Sequence, residues 1–375
     1  EDSLPLHAAV TLSNTGTKET SDWRLRTVLQ HVNLTKVDDV LTAQWLTDPT
    51  DFDQVNAWSG SYYRPLGDGW SLNLYGGYSD SNIENFALDE FDIFGEGMFA
   101  GFRVTKMLYE DPQLAVDASV GYTYQQIENN TEFAGQSFPD WEKDITLGMP
   151  YLTLGYSNKT FDRWAGKTFF SNTVLFNFGG ALGSTDRDEF LENYPDSEAS
   201  FIIDRISFAR FQKLGWGSNF GRSRWTMLLK VNAQLTDDVL PPAVQDYMGG
   251  MDSVRGYEES EVGGDQGITT TLELRTPLFT NFLPMLKRDS EFMKNNPDFW
   301  GQHRLQFLLF FDWGYVHRHQ PAAGLEKNEN FMGVGAGLRF SLSPYTQMKL
   351  DYGFPLEETE DSDDGRLHMS VQAQF

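Results

Sequence analysis

Long tracts of this chain alternate apolar and polar side chains with a period of two. In WTMLLKVNAQL, Trp225, Met227, Leu229, Val231 and Leu235 fall on one side, and Lys230, Asn232 and Gln234 on the other. HRLQFLLFFDWGYV separates Leu305, Phe307, Leu309, Phe311, Trp313 and Tyr315 from Gln306 and Asp312, and the C-terminal tract aligns Leu367, Met369, Val371, Ala373 and Phe375. Successive side chains of a pleated strand point to opposite faces, so such tracts are strands with one greasy face and one wet face. No apolar run reaches the ~18 to 20 residues of a membrane-crossing helix. An all-β chain is therefore expected.

Roughly sixteen such tracts follow one another, an even number as single-chain outer-membrane barrels require. A soluble sandwich or propeller shares the alternation, but 14% aromatic residues and 34 glycines with low mean hydropathy suit a transmembrane antiparallel β-barrel better. Trp23, Trp58, Trp70 and Trp225 read as the interfacial girdle. Between Ile145/Leu147/Met149 and Leu152/Leu154 the apolar phase shifts at Pro150, as a bulge would produce. Connections alternate between short (LTKVDD, PLGDG, SLSPYT) and long and acidic, and the acid runs at 186–198 and 357–364 read as solvated loops. TNFLPMLKRDSEFMKNNPDFWGQ, around 280–302, is long where a short turn is due and is expected to hold a structured turn with a helical segment. The whole chain, 1–375, reads as one barrel.

Net charge is −25, from 54 acidic and 29 basic residues, which argues against a nucleic-acid partner. Without cysteine there is no disulfide framework, thiol nucleophile or Cys zinc site. The histidines at 7, 31, 303, 317, 319 and 368 lie in no nucleophile motif, so an enzyme is not expected. His317 and His319 share a face but have no third ligand in view and read as surface histidines; no metal and no cofactor are expected.

One connection has a different character. GGMDSVRGYEESEVGGDQG, 249–267, is too rich in glycine and charge for a strand and too long for a hairpin turn, and Arg255 stands at its centre. LPPAVQDYMGGMDSVRGYEESEVGGDQG, followed by Glu273 in LEL, FDWG at 311–314 and GVGAGLR at 333–339, resembles the two-partner-secretion transporters, the haemolysin-activator-like pores of the superfamily that also holds the barrel-assembly proteins. VRGY and FDWG in this order among alternating strands carry the resemblance, strongly from about residue 200 onward.

The resemblance implies a sixteen-stranded barrel with an extracellular loop, here 237–267, folded into the lumen. The VRGY arginine, Arg255 between Val254 and Gly256–Tyr257, is then held by Asp312 of FDWG and by Glu273. Strand parity independently puts both acids on the inner face, although Glu273 has Arg275 as a rival partner. Gly333, Gly335 and Gly337 would leave the inserted loop space, and Phe375 reads as an assembly signal for the barrel-assembly machinery. Family members usually carry periplasmic domains before the barrel; this chain starts on strand one, so none is expected within it. The function implied is export of a client polypeptide by a monomer in outer-membrane lipid and lipopolysaccharide, with membrane-protein assembly or passive diffusion as alternatives.

Overall fold

A computed structural model describes the chain apart from residues 1–4, 18–19, 84–90, 134–135, 138–142, 216–223, 281, 284–290, 292–293, 295–301, 322–323, 344, 360–361 and 363. Sixteen strands form the wall. In order they are β1 (Leu6–Ser13), β2 (Arg24–Val32), β3 (Val40–Thr47), β4 (Val55–Gly67), β5 (Trp70–Ile83), β6 (Phe91–Glu110), β7 (Leu114–Phe133) and β8 (Lys143–Asn158). There follow β9 (Gly166–Asn177), β10 (Phe201–Lys213), β11 (Thr226–Leu235), β12 (Gln266–Arg275), β13 (Gln302–His317), β14 (Asn328–Ser343), β15 (Thr346–Pro355) and β16 (Arg366–Gln374). Each pairs antiparallel with the next, and β16 returns to β1 through Ser370–Gln374 against Ala9–Ser13, closing the sheet. Closure leaves no unpaired edge, which permits a lipid-embedded sheet.

Register decides which face is which. Leu305, Phe307, Leu309 and Phe311 point outward, and Leu309 is 61% exposed. Asp312, Phe310 and Leu308 lie buried on the inner face, opposite Gly333, Gly335 and Gly337. Trp58, Trp70 and Trp225 are exposed on the outer wall, as a girdle requires. β6 and β7 run for 20 residues each, twice the ~10 that a hydrocarbon core requires, so the wall is taller here than such a core is thick.

The bulge expected at Pro150 is absent: β8 pairs with β7 in unbroken register from Asn129↔Lys143 to Leu114↔Asn158. Instead Ile145, Leu147, Met149 and Tyr151 all face inward, while Leu152 and Leu154 face out. Both faces of this strand are apolar, which produces the apparent phase shift. The inner one is covered because the 186–198 run is no simple solvated loop: it contains the helix α1 (Arg187–Asn193), which drops Phe190 onto Ile145, Leu147, Phe201 and Ile203. The helical turn expected in 280–302 falls for the most part outside the described residues, as does part of 357–364.

Candidate functional site

The connection from β11 to β12 enters the barrel in three steps. Leu240, just before a short 3-10 turn (Pro242–Val244), and Val244, its last residue, join the apolar shelf of β8 to β10. Buried Asp265 braces this entry, accepting Leu240 N–H at 2.8 Å and His319 N–H at 2.7 Å, while Gln234 Nε2 donates to the Val244 and Asp265 carbonyls. Asp246–Met248 and Val262–Gly264 then pair as a small hairpin. Met248, Val254 and Tyr257 pack on the inward Val316 and Phe331, and the hairpin thereby carries the VRGY tip down the wall. Gly249 (φ 107°), Gly250 (φ 99°) and Gly256 (φ 106°) turn the backbone through conformations that a Cβ disfavours.

At the tip Arg255 is 3% exposed. Its Nε and Nη2 fork onto the Asp312 carboxylate at 2.7 and 3.0 Å, and its backbone N–H donates to the same group at 3.1 Å. Nη1 reaches Glu273 at 2.9 Å and Asp351 at 3.2 Å, and the guanidinium lies 3.6 Å from the Phe310 ring centroid. Arg275 holds the other Glu273 oxygen at 2.8 and 2.5 Å, and Arg339 holds Asp351 at 2.6 and 2.8 Å. Three carboxylates therefore meet three guanidiniums, the arrangement that makes burial of charge tolerable. Burial by itself would lower the pKa of Arg255; hydrogen bonds and charge from Asp312, then the charges of Glu273 and Asp351, outweigh it and raise the value, so the group stays cationic.

Arg255, Asp312 and Glu273 thus come together, and Glu273 is shared with Arg275. Gly333 clears the loop directly, since a Cβ there would strike the Arg255 carbonyl. Gly335 and Gly337 act one step removed, clearing Phe310 and the Asp351 carboxylate that in turn touch Arg255. Sequence reasoning missed Asp351, Arg339 and Phe310. Asp351 carried a usable signal, since Met348, Leu350 and Tyr352 around it alternate outward.

Further ties run from the tip to β16. Tyr257 sets its ring edge-on to Phe331 and its hydroxyl between the Met332 main chain and the Glu357 carbonyl. Gly256 N–H donates to His368 Nε2 at 3.1 Å, a bond that assigns the imidazole proton to Nδ1. Arg366 pairs with Glu258 of the loop and, at 3.2 Å, with Asp22 beyond β1. Asn14 accepts Met369 N–H and donates to the Leu367 carbonyl, both at 2.6 Å, stapling the β1–β16 seam at its loop end. At the other end Phe375 exchanges backbone hydrogen bonds with Ala8 and is 79% exposed as a residue. The His317 and His319 rings touch 4.9 Å apart, but His317 bonds Asn328 and His319 donates to the Thr236 carbonyl. Among the described residues no group of three or more His, Asp or Glu side chains is arranged so that it could hold a metal ion.

The family profile for haemolysin secretion/activation proteins ShlB/FhaC/HecB matches residues 1–340. Among solved structures the fold is similar to CdiB from Escherichia coli, with a TM-score of 0.79 at 16% identity over 100% of this chain. It is similar to CdiB from Acinetobacter baumannii at 0.68, 13% and 99%, and to BamA from Haemophilus ducreyi lacking POTRA domains 1-3 at 0.60, 14% and 99%. The chain spans 64% and 60% of the two CdiB chains and 70% of that BamA chain. No curated protein sequence matches it.

Proposed function

This chain belongs to the haemolysin secretion/activation protein family, and from that premise we propose that it forms a pore in the Gram-negative outer membrane through which an unfolded partner polypeptide is secreted. The observation that carries this reading is the buried fork of Arg255 on Asp312. A passive diffusion channel has no use for a loop anchored by a three-by-three charge cluster, whereas a polypeptide pore must stay shut between clients. Arg255 with Asp312, Glu273 and Asp351 is the latch of that gate; Val254 and Tyr257 seat the tip in apolar contacts, and Gly256 and Gly333 allow the close approach. Phe375 serves insertion by the barrel-assembly machinery, after which the monomer sits in lipid and lipopolysaccharide.

The test pairs planar-bilayer conductance of Arg255→Ala with export of a partner encoded beside this chain. The latch predicts longer-lived, larger conductance and altered export. Unchanged gating together with unchanged export would remove it and leave a plain channel.

A further inference from the structure

The inner wall beneath the latch carries a charge that the chain as a whole does not. A cavity of about 500 Å³ lies inside the barrel against β6 to β11, and a smaller one of about 110 Å³ lies under Arg255. Lys230 lines both; Arg103 borders the first and Lys349 the second. All three are exposed to lumen water, and among the described residues none has a carboxylate within ion-pair distance. Lys230 is the fifth of the ten residues of β11 and Lys349 the fourth of the ten of β15, so both stand near mid-wall, in the half of each strand that begins at the short-turn end.

The carboxylates in the same space are few. Glu273 and Asp351 are answered by Arg275, Arg339 and Arg255, Asp252 belongs to the loop itself, and Asp117 is the remaining wall acid. A chain with 54 acidic residues against 29 basic ones has therefore left its free inward charges in this band predominantly positive. Low-dielectric walls around a wet lumen focus such a field. At physiological salt it extends over about 8 Å, enough for charges on adjoining strands to act on one passing chain.

Resting on the secretion reading, we infer that this band selects the client: its substrate class is a polypeptide whose leading unfolded stretch is rich in aspartate and glutamate, drawn in from the short-turn side by Lys230, Lys349 and Arg103. When the loop withdraws, Asp312 loses its arginine and faces the lumen above this band, so a passing acidic stretch is attracted below and repelled above and does not lodge at the band.

The full chain in planar bilayers under a KCl gradient tests this, with glutamate-rich and lysine-rich peptides of equal length added on the short-turn side. The unsubstituted pore should favour anions, and the glutamate peptide should block at a roughly tenfold lower concentration than the lysine peptide, an advantage lost in high salt. Lys230→Gln with Lys349→Gln should abolish both preferences, and the double Glu variant should invert them; heat-modifiable migration on gels confirms that each barrel has folded. Cation preference in the unsubstituted pore, block indifferent to peptide charge, or block by an oligonucleotide but not by the glutamate peptide would each overturn it. The secretion reading fails separately: charge-selective block without export of any partner keeps the band and removes transport, whereas export with no charge preference keeps transport and removes the band.

Discussion

Two regions hold chain inside this barrel, by opposite means. Between β8 and β10 the inner wall is a shelf of Ile145, Leu147, Met149, Tyr151, Phe201 and Ile203, covered by Phe190 of α1 and by Leu240 and Val244. Across β12 to β15 the wall is charged, and the covering segment presents Arg255. Apolar contact is non-directional: it sets how much surface is covered and tolerates sliding. A guanidinium forked on a carboxylate accepts one geometry only. The shelf thus fixes where the loop enters, and the charge cluster fixes the depth and register of its tip.

The largest break in that contrast should come from Arg255→Ala. It leaves Asp312, with no exposed surface, without the fork that holds it, a loss of about 3 to 5 kcal/mol for a buried pair. Read as the ratio of open to closed time in bilayers, that is more than roughly a hundredfold. Phe190→Ala should follow at about 3 kcal/mol, the low end for a buried aromatic because α1 is solvated on its outer side. Its signature differs: the loop entry and α1 become protease-sensitive while the Arg255 fork persists. If both variants open the channel alike and expose the same cleavage sites, the division into entry and register anchors is wrong.

The two regions also differed in what sequence could say. Alternation places residues on a shared face but does not name the face; for most strands the apolar set is outward, which puts Asp312 and Glu273 on the inner side, where both lie buried. β8 defeats that rule, because its inward set is apolar too and covered by a helix from a distant loop. The acidic run DRDEFLEN hid one buried Phe among solvated carboxylates, so α1 read as plain loop. For the charged region, VRGY and FDWG bring two partners into view. Alternation puts Asp351 on the inner face as well, but its meeting with Arg255, and Arg339's part in holding it, depend on the depth to which the loop descends, which barrel closure and the hairpin set and no local pattern encodes.

Replacing the charged anchor by an apolar one sharpens the comparison. Arg255→Met with Asp312→Leu removes one positive and one negative charge, and Glu273 and Asp351 keep Arg275 and Arg339. Such exchanges of a buried pair for apolar side chains are often neutral in stability. The loop should therefore stay seated within about 1 kcal/mol of the unsubstituted chain. What should be lost is register, seen as several closed sub-conductance levels in place of one. A single closed level in the double variant would show that shape alone sets the depth and that the charges are dispensable.

The smallest effect expected is a pH dependence at the tip. Glu259 accepts Met251 N–H at 2.6 Å and stands 3.8 Å from His368 Nδ1. Burial pushes its carboxyl up to about 7; the Met251 bond opposes this and Asp252 adds to it. The folded value lies above that of a free glutamate, so the seated loop binds the proton more tightly than the released loop does. Seating is thus fully supported below about pH 4.5 and loses that contribution as pH rises through about 7. The change is on the order of 1 kcal/mol, since the loop relaxes toward water once the group ionises. Open time should accordingly rise between pH 5 and 8 in the unsubstituted chain, roughly fivefold. In Glu259→Gln, which keeps an acceptor for Met251 and cannot ionise, the slope should vanish with the loop still seated. A slope that survives this substitution would move the titration elsewhere and leave Glu259 a packing residue.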